Sequence, residues 1–144
     1  MTKQPSSTAS DRGTQNRVLV VDDEPLIRWS LSETLRYQGF TVVEAGDART
    51  AIREASDALN PFGVVLLDFR LPDSNDLRLL TDLRRLMSDA RIILMTAHGS
   101  PALANRAIDL GAYCVLNKPF GMSEVAEVVD QASIDYLAQR RLDS

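Results

Sequence analysis

A chain of 144 residues, 44% hydrophobic and 25% charged, has the length and balance of a single globular domain, and no run approaches the ~20 apolar residues a membrane helix needs. A net charge of −4 with scattered Lys and Arg disfavours direct nucleic-acid binding, which needs a clustered basic face. One cysteine, Cys114, leaves no internal disulfide, so the expectation is a soluble protein of a reducing cytoplasm.

Residues 1–16, MTKQPSSTASDRGTQN, are rich in Ser, Thr and Gln, lack the apolar core of a signal peptide, and read as a flexible leader. The first strand-length run, RVLVV, ends at Asp22 and Asp23. Pro25 then opens a helix in which Ile27, Leu31 and Leu35 recur at steps of four and which Gly39 stops; Trp29 falls roughly opposite Ile27. TVVEA from Thr41, with its charged end, reads as an edge strand. A second helix is expected from Ala48 to Leu59, with Asn60 and Pro61 as its breaker. VVLL runs into Asp68, and Leu77, Leu80, Leu83 and Leu86 step by threes through a third helix. RIILM ends at Thr96, Pro101 opens a fourth helix and Gly111 closes it. CVL from Cys114 is the last strand and leads to Lys118. Val125, Val129, Ala132 and Tyr136 line a fifth helix, which passes into a short tail at 139–144.

Four of the five runs are almost uniformly apolar, the pattern of parallel strands buried on both faces. Strict β-α alternation implies an α/β fold with an open parallel sheet and right-handed crossovers, and ligands bind such sheets beyond the carboxyl ends of the strands. Polar residues gather at those ends: Asp22 and Asp23 after strand one, Asp68 at strand three, Thr96 at strand four and Lys118 at strand five.

Three carboxylates at one sheet edge repel each other, and a divalent ion removes the conflict. Mg²⁺ takes oxygen ligands and keeps several waters, so carboxylates, a backbone carbonyl and a phosphate oxygen would satisfy it. Lys118 and Thr96 can each donate to phosphate oxygens while a carboxylate attacks phosphorus, a transfer that needs positioning and charge neutralisation. No Gly-rich phosphate loop follows strand one, so a nucleotide site is not supported.

The ordered set DD at 22–23, D at 68 with LP at 71–72, TA at 96–97 and KPF at 118–120 resembles the receiver domain of two-component response regulators, from about Val18 to Leu137. IRW at 27–29 and MTAH at 95–98 look most like receivers of the nitrogen-regulation type of transcriptional activator. The resemblance implies a flavodoxin-like doubly wound (βα)5 fold over 17–138, with strand order 2-1-3-4-5. It implies that Asp68 accepts a phosphoryl group from a sensor histidine kinase, a phosphotransfer protein or a small donor. Such a protein is no classical enzyme; it catalyses its own phosphorylation and dephosphorylation. Asp23, Asp68 and the backbone carbonyl of Arg70 would hold Mg²⁺, with Asp22 acting largely through water. Thr96 would move to the phosphoryl group, Lys118 would pair with it, and Ala97 would keep the pocket uncrowded. The Lys118–Pro119 bond is expected to be cis. Phosphorylation would bias a surface of the fourth helix, fifth strand and fifth helix toward a downstream protein partner or a homodimer. The chain would act alone or as the receiver part of a longer transcriptional regulator.

Two positions depart from the family pattern. Val115 stands where an aromatic residue is usual, with Tyr113 on the same strand face by alternation. Asp76 stands where glycine is usual, which implies either a left-handed aspartate or a helix shifted by a turn. These motivate an alternative, a degenerate receiver that binds partners independently of phosphorylation. A phosphohydrolase normally needs a second acid two residues after the nucleophile, where this chain has Arg70. His98 reads as a solvent-exposed loop residue, and Cys114 as a buried strand residue.

Overall fold

The computed structural model describes residues 16–143. Five strands and five helices alternate: β1 (Arg17–Val21), α1 (Pro25–Tyr37), β2 (Thr41–Ala45), α2 (Ala48–Ala55), β3 (Val64–Asp68), α3 (Arg78–Leu86), β4 (Arg91–Thr96), α4 (Pro101–Asp109), β5 (Cys114–Asn117) and α5 (Met122–Asp143). All strand pairs are parallel, in the order β2-β1-β3-β4-β5. This is the flavodoxin-like doubly wound order, with β2 at an edge as its charged end implied.

Each strand feeds both faces of the sheet. Leu19, Val21, Val65, Leu67, Ile92 and Leu94 pack beneath α2, α3 and α4, while Val18, Val20, Val64, Leu66, Ile93 and Met95 pack against α1 and α5. That two-sided burial is why the runs are uniformly apolar; each fully buried Val, Leu or Ile contributes about 1.5–3 kcal/mol.

Helix ends follow local chemistry. Gly39 and Gly111 adopt φ of +102° and +107°, a left-handed conformation that glycine enters without strain. Each closes a Schellman pattern: Phe40 N–H bonds Leu35 O at 3.1 Å, and Ala112 N–H bonds Ala107 O at 2.9 Å.

Two helix expectations need correction. α2 stops at Ala55, not Leu59, because the Ser56 hydroxyl bonds back to Ile52 O at 2.7 Å and the Asp57 carboxylate accepts from Leu59 N and Asn60 Nδ2. Of the expected α3 stripe, Leu77 at the N-cap and Leu80 and Leu83 in the helix are buried, but Leu86 is 46% exposed and Leu79 takes a place in the core. Nine residues at 3.6 per turn carry Leu86 about 180° around from Leu77, so stepping by threes leaves the buried face.

The two departures from the family pattern also resolve. No non-glycine residue has positive φ among the described residues. Asp76 is therefore not left-handed; its carboxylate accepts from Arg78 N at 2.9 Å as α3 begins. Tyr113 precedes β5 and packs with the α1/α5 core, whereas Val115 packs with the opposite one. Strand alternation does not reach back to Tyr113, whose hydroxyl donates to Asp135 Oδ2 on α5 at 2.6 Å.

Most of the expected leader lies outside the described residues. Asn16 is part of the fold: it is buried, and its Oδ1 accepts from Ser133 Oγ at 2.7 Å. α5 continues through the expected tail to Asp143. Among the described residues, no helix is long and apolar enough to cross a membrane.

Candidate functional site

The direction in which the chain winds reverses between β1 and β3, which opens a crevice beyond their carboxyl ends. The register Val21↔Leu67 brings Asp22 and Asp68 to adjacent positions there. Asp22 is fully buried, Asp68 is 6% exposed, and Asp23 projects into solvent. One carboxylate oxygen from each of the three lies within 4.8 Å of the others.

Lys118 reaches into this cluster from beyond β5, with Nζ 3.3 Å from Asp22 Oδ2, 3.4 Å from Asp68 Oδ2 and 3.7 Å from Glu24 Oε1. The Lys118–Pro119 peptide is cis, as expected, and Lys118 N–H bonds Thr96 O at 2.7 Å. Thr96 is buried at the end of β4, and its Oγ1 accepts from His98 N at 3.2 Å. Arg70 N donates to Asp68 Oδ1 at 3.3 Å. Asp23, Glu24, Asp68, Arg70, Thr96 and Lys118 border a cleft of 340 Å³, which Ala97 also lines and beneath which Asp22 is buried. His98 is exposed and does not line it; Cys114 is only half-buried.

The electrostatics match the crowding. Burial first, and then the neighbouring Asp22 charge, push the Asp68 carboxyl up to about 6 against the pull of Lys118. At Lys118, burial opposes the charged form, but the charges of Asp22 and Asp68 outweigh it and raise the ammonium pKa. The pocket therefore holds more negative charge than one lysine offsets.

An all-oxygen donor set suits a hard cation. Ligands about 2.1 Å from an octahedral ion lie about 3.0 Å apart when adjacent and about 4.2 Å apart when opposite, so the three carboxylates would draw together around a bound ion.

The sequence profile of the response regulator receiver domain matches residues 18–130. The chain belongs to this family. It is a receiver of two-component signalling, a class that binds Mg²⁺ at an acidic pocket, interacts with histidine kinases and is often joined to transcriptional regulators. The regulatory protein AtoC of Escherichia coli is 36% identical over 117 residues, which are 81% of this chain and 25% of AtoC. The receiver thus spans about a quarter of that relative's length. A Burkholderia pseudomallei response regulator solved with a phosphorylated aspartic acid, calcium ion and citrate is 28% identical, with a TM-score of 0.73 over 90% of this chain and 75% of that one. The beryllofluoride-activated NtrC4 receiver dimer is 34% identical, with a TM-score of 0.76 over 83% of this chain and 98% of that one.

Two site features escaped sequence reading. Glu24 approaches Lys118 although it follows the recognised DD pair directly, and adjacency was its only signal. Asp73, on the loop after Asp68, accepts from Ala48 N at 2.8 Å and Arg49 N at 3.2 Å, which ties the acid loop to the start of α2.

Proposed function

We propose that this receiver takes a phosphoryl group onto Asp68, and the single observation behind this is the convergence of three carboxylates and Lys118 at the β1/β3 crevice. An Asp68 oxygen attacks phosphorus while the P–N bond to a donor phosphohistidine breaks and the imidazole takes the bonding pair. β3, buried on both faces, carries Asp68 rigidly to its place. Lys118 pairs with the incoming phosphoryl oxygens, and the Thr96 hydroxyl donates to another. Asp22, Asp23, Asp68 and the Arg70 carbonyl are the groups that would hold Mg²⁺. The bound ion supplies the positive charge that lets carboxylate and phosphoryl group approach.

Phosphorylation then biases the surface of α4, β5 and α5 toward a protein partner or a second copy, in the cytoplasm. α4 buries only Ala107 of its nine residues, so little packing resists its displacement. Whether the chain acts alone or within a longer regulator does not alter this chemistry.

Incubation with acetyl phosphate and Mg²⁺, followed by intact-mass measurement, is expected to show one added phosphoryl group that Asp68→Asn and EDTA each abolish. Absence of the adduct in the wild type would refute the reading. Equal partner or dimer affinity for wild type and Asp68→Asn would favour the phosphorylation-independent alternative.

A further inference from the structure

The proposed Mg²⁺ site depends on the direction of Asp23, whose exposed carboxylate leaves the backbone just after the Asp22 carbonyl. What holds the backbone of Asp22 is therefore part of the site. The Asp22 N–H is fixed from the edge strand by Ala45 O at 3.0 Å. Its carbonyl is fixed from α1, where Arg28 Nη1 donates to it at 2.7 Å. The same guanidinium donates through Nε to Glu44 Oε1 on β2 at 3.1 Å. The Arg28 side chain is 23% exposed, so both bonds are largely shielded from water. Gly46 leaves room for it: a Cβ there would lie 3.3 Å from Arg28 Nη1.

We propose that Arg28 is a positioning residue for the cation site: braced by Glu44, it fixes the Asp22–Asp23 peptide so that both carboxylates face the same point. The inference rests on the phosphoacceptor reading above. Glu44 has a second consequence. A bare guanidinium beside a Mg²⁺ site would repel the ion, and pairing with Glu44 keeps the brace close to neutral. Lysine cannot replace arginine here, because its compact ammonium lacks the planar fork that serves a carbonyl and a carboxylate at once. Arg36 provides an internal comparison. It also pairs with Glu44, at 3.5 Å, and donates to Val42 O at 3.3 Å, but it makes no bond to Asp22.

The test is a Mg²⁺ titration of the whole chain followed by ¹⁵N amide shifts of Thr96 and Ala97, across the cleft from α1, with urea denaturation of each variant. Arg28→Met is expected to weaken Mg²⁺ binding about 10-fold or more, the scale on which partners that orient metal ligands act. Glu44→Gln is expected to weaken it less, and Arg36→Met to leave it unchanged. Arg28→Lys is expected not to rescue the affinity, and it carries the test if Arg28→Met fails to fold. Wild-type affinity in Arg28→Met, or in Arg28→Lys where only that variant folds, overturns the proposal. So does an equal loss in Arg28→Met and Arg36→Met that tracks their loss of stability. A wild type that binds no Mg²⁺ refutes the phosphoacceptor reading itself, whereas wild-type binding that Arg28→Met retains refutes only the role of Arg28.

Discussion

Burial and charge conflict at Asp68, and the conflict has a pH signature. Its carboxyl titrates near pH 6, lifted by burial and by Asp22, rather than at the ordinary 3.8. The folded state therefore binds this proton more tightly than the unfolded state. Between those two values stability falls as pH rises, and the cost of ionising Asp68 is present in full above the folded value. In Mg²⁺-free buffer, Asp68→Asn is accordingly expected to gain about 1–3 kcal/mol over wild type near pH 7.5. The advantage should shrink as pH falls through 6 toward 4. Urea denaturation at several pH values measures it, and a pH-independent difference would mean that Asp68 does not carry the cost. The sign is informative in itself, because removing a buried charge usually destabilises the partner left behind. Here Lys118 keeps Asp22 at 3.3 Å, so Asn at position 68 leaves no orphaned ammonium.

Elements meet at this site through contacts between distant parts of the chain, and Asp73 is one whose strength can be measured. It sits in the loop after β3 yet satisfies two amides at the start of α2, beside that helix's own N-cap Asp47. Asp73→Ala is expected to cost about 1 kcal/mol in chemical denaturation, as lost caps do. Unchanged stability would remove Asp73 from the account. The same contact explains what sequence could and could not reveal. The strands were legible because a parallel sheet buried on both faces demands apolar runs such as Val64–Leu67, and the acid site was legible because such sheets collect polar groups at strand ends. Asp22, Asp23, Asp68, Thr96 and Lys118 all stand where that rule puts them. The bonds from Asp73 to Ala48 and from Arg28 to Glu44 span 25 and 16 residues and exist only once the fold sets α2 beside the loop after β3 and β2 beside α1. No local pattern encodes them. The expected helix end at Leu59 and the place of Leu86 failed for smaller reasons: the Asp57 carboxylate captured its own downstream amides, and a three-residue step drifts off a 3.6-residue helix.

At the scale of the whole molecule, the apolar clusters on the two faces of the sheet support an acidic edge that does not favour folding by itself. The chain already carries 20 acidic against 16 basic residues, and three carboxylates lie in one crevice that a single lysine partly offsets. A ligand that binds only the folded state repays such a cost by mass action. Mg²⁺ at 100 times its dissociation constant should raise stability by about 2.7 kcal/mol. For a domain of this size that corresponds to a rise in Tm of roughly 5–10 °C. The rise should reverse with EDTA and should fall markedly in Asp68→Asn, which loses a ligand as well as a charge. Thermal unfolding of both proteins across a Mg²⁺ series tests this, with the same ionic strength held by NaCl so that general screening is separated from site binding. An equal rise with NaCl alone would assign the effect to screening and leave the carboxylates without a cation role. A rise specific to Mg²⁺ and dependent on Asp68 would mean that the fold tolerates this acidic edge because the ion completes it.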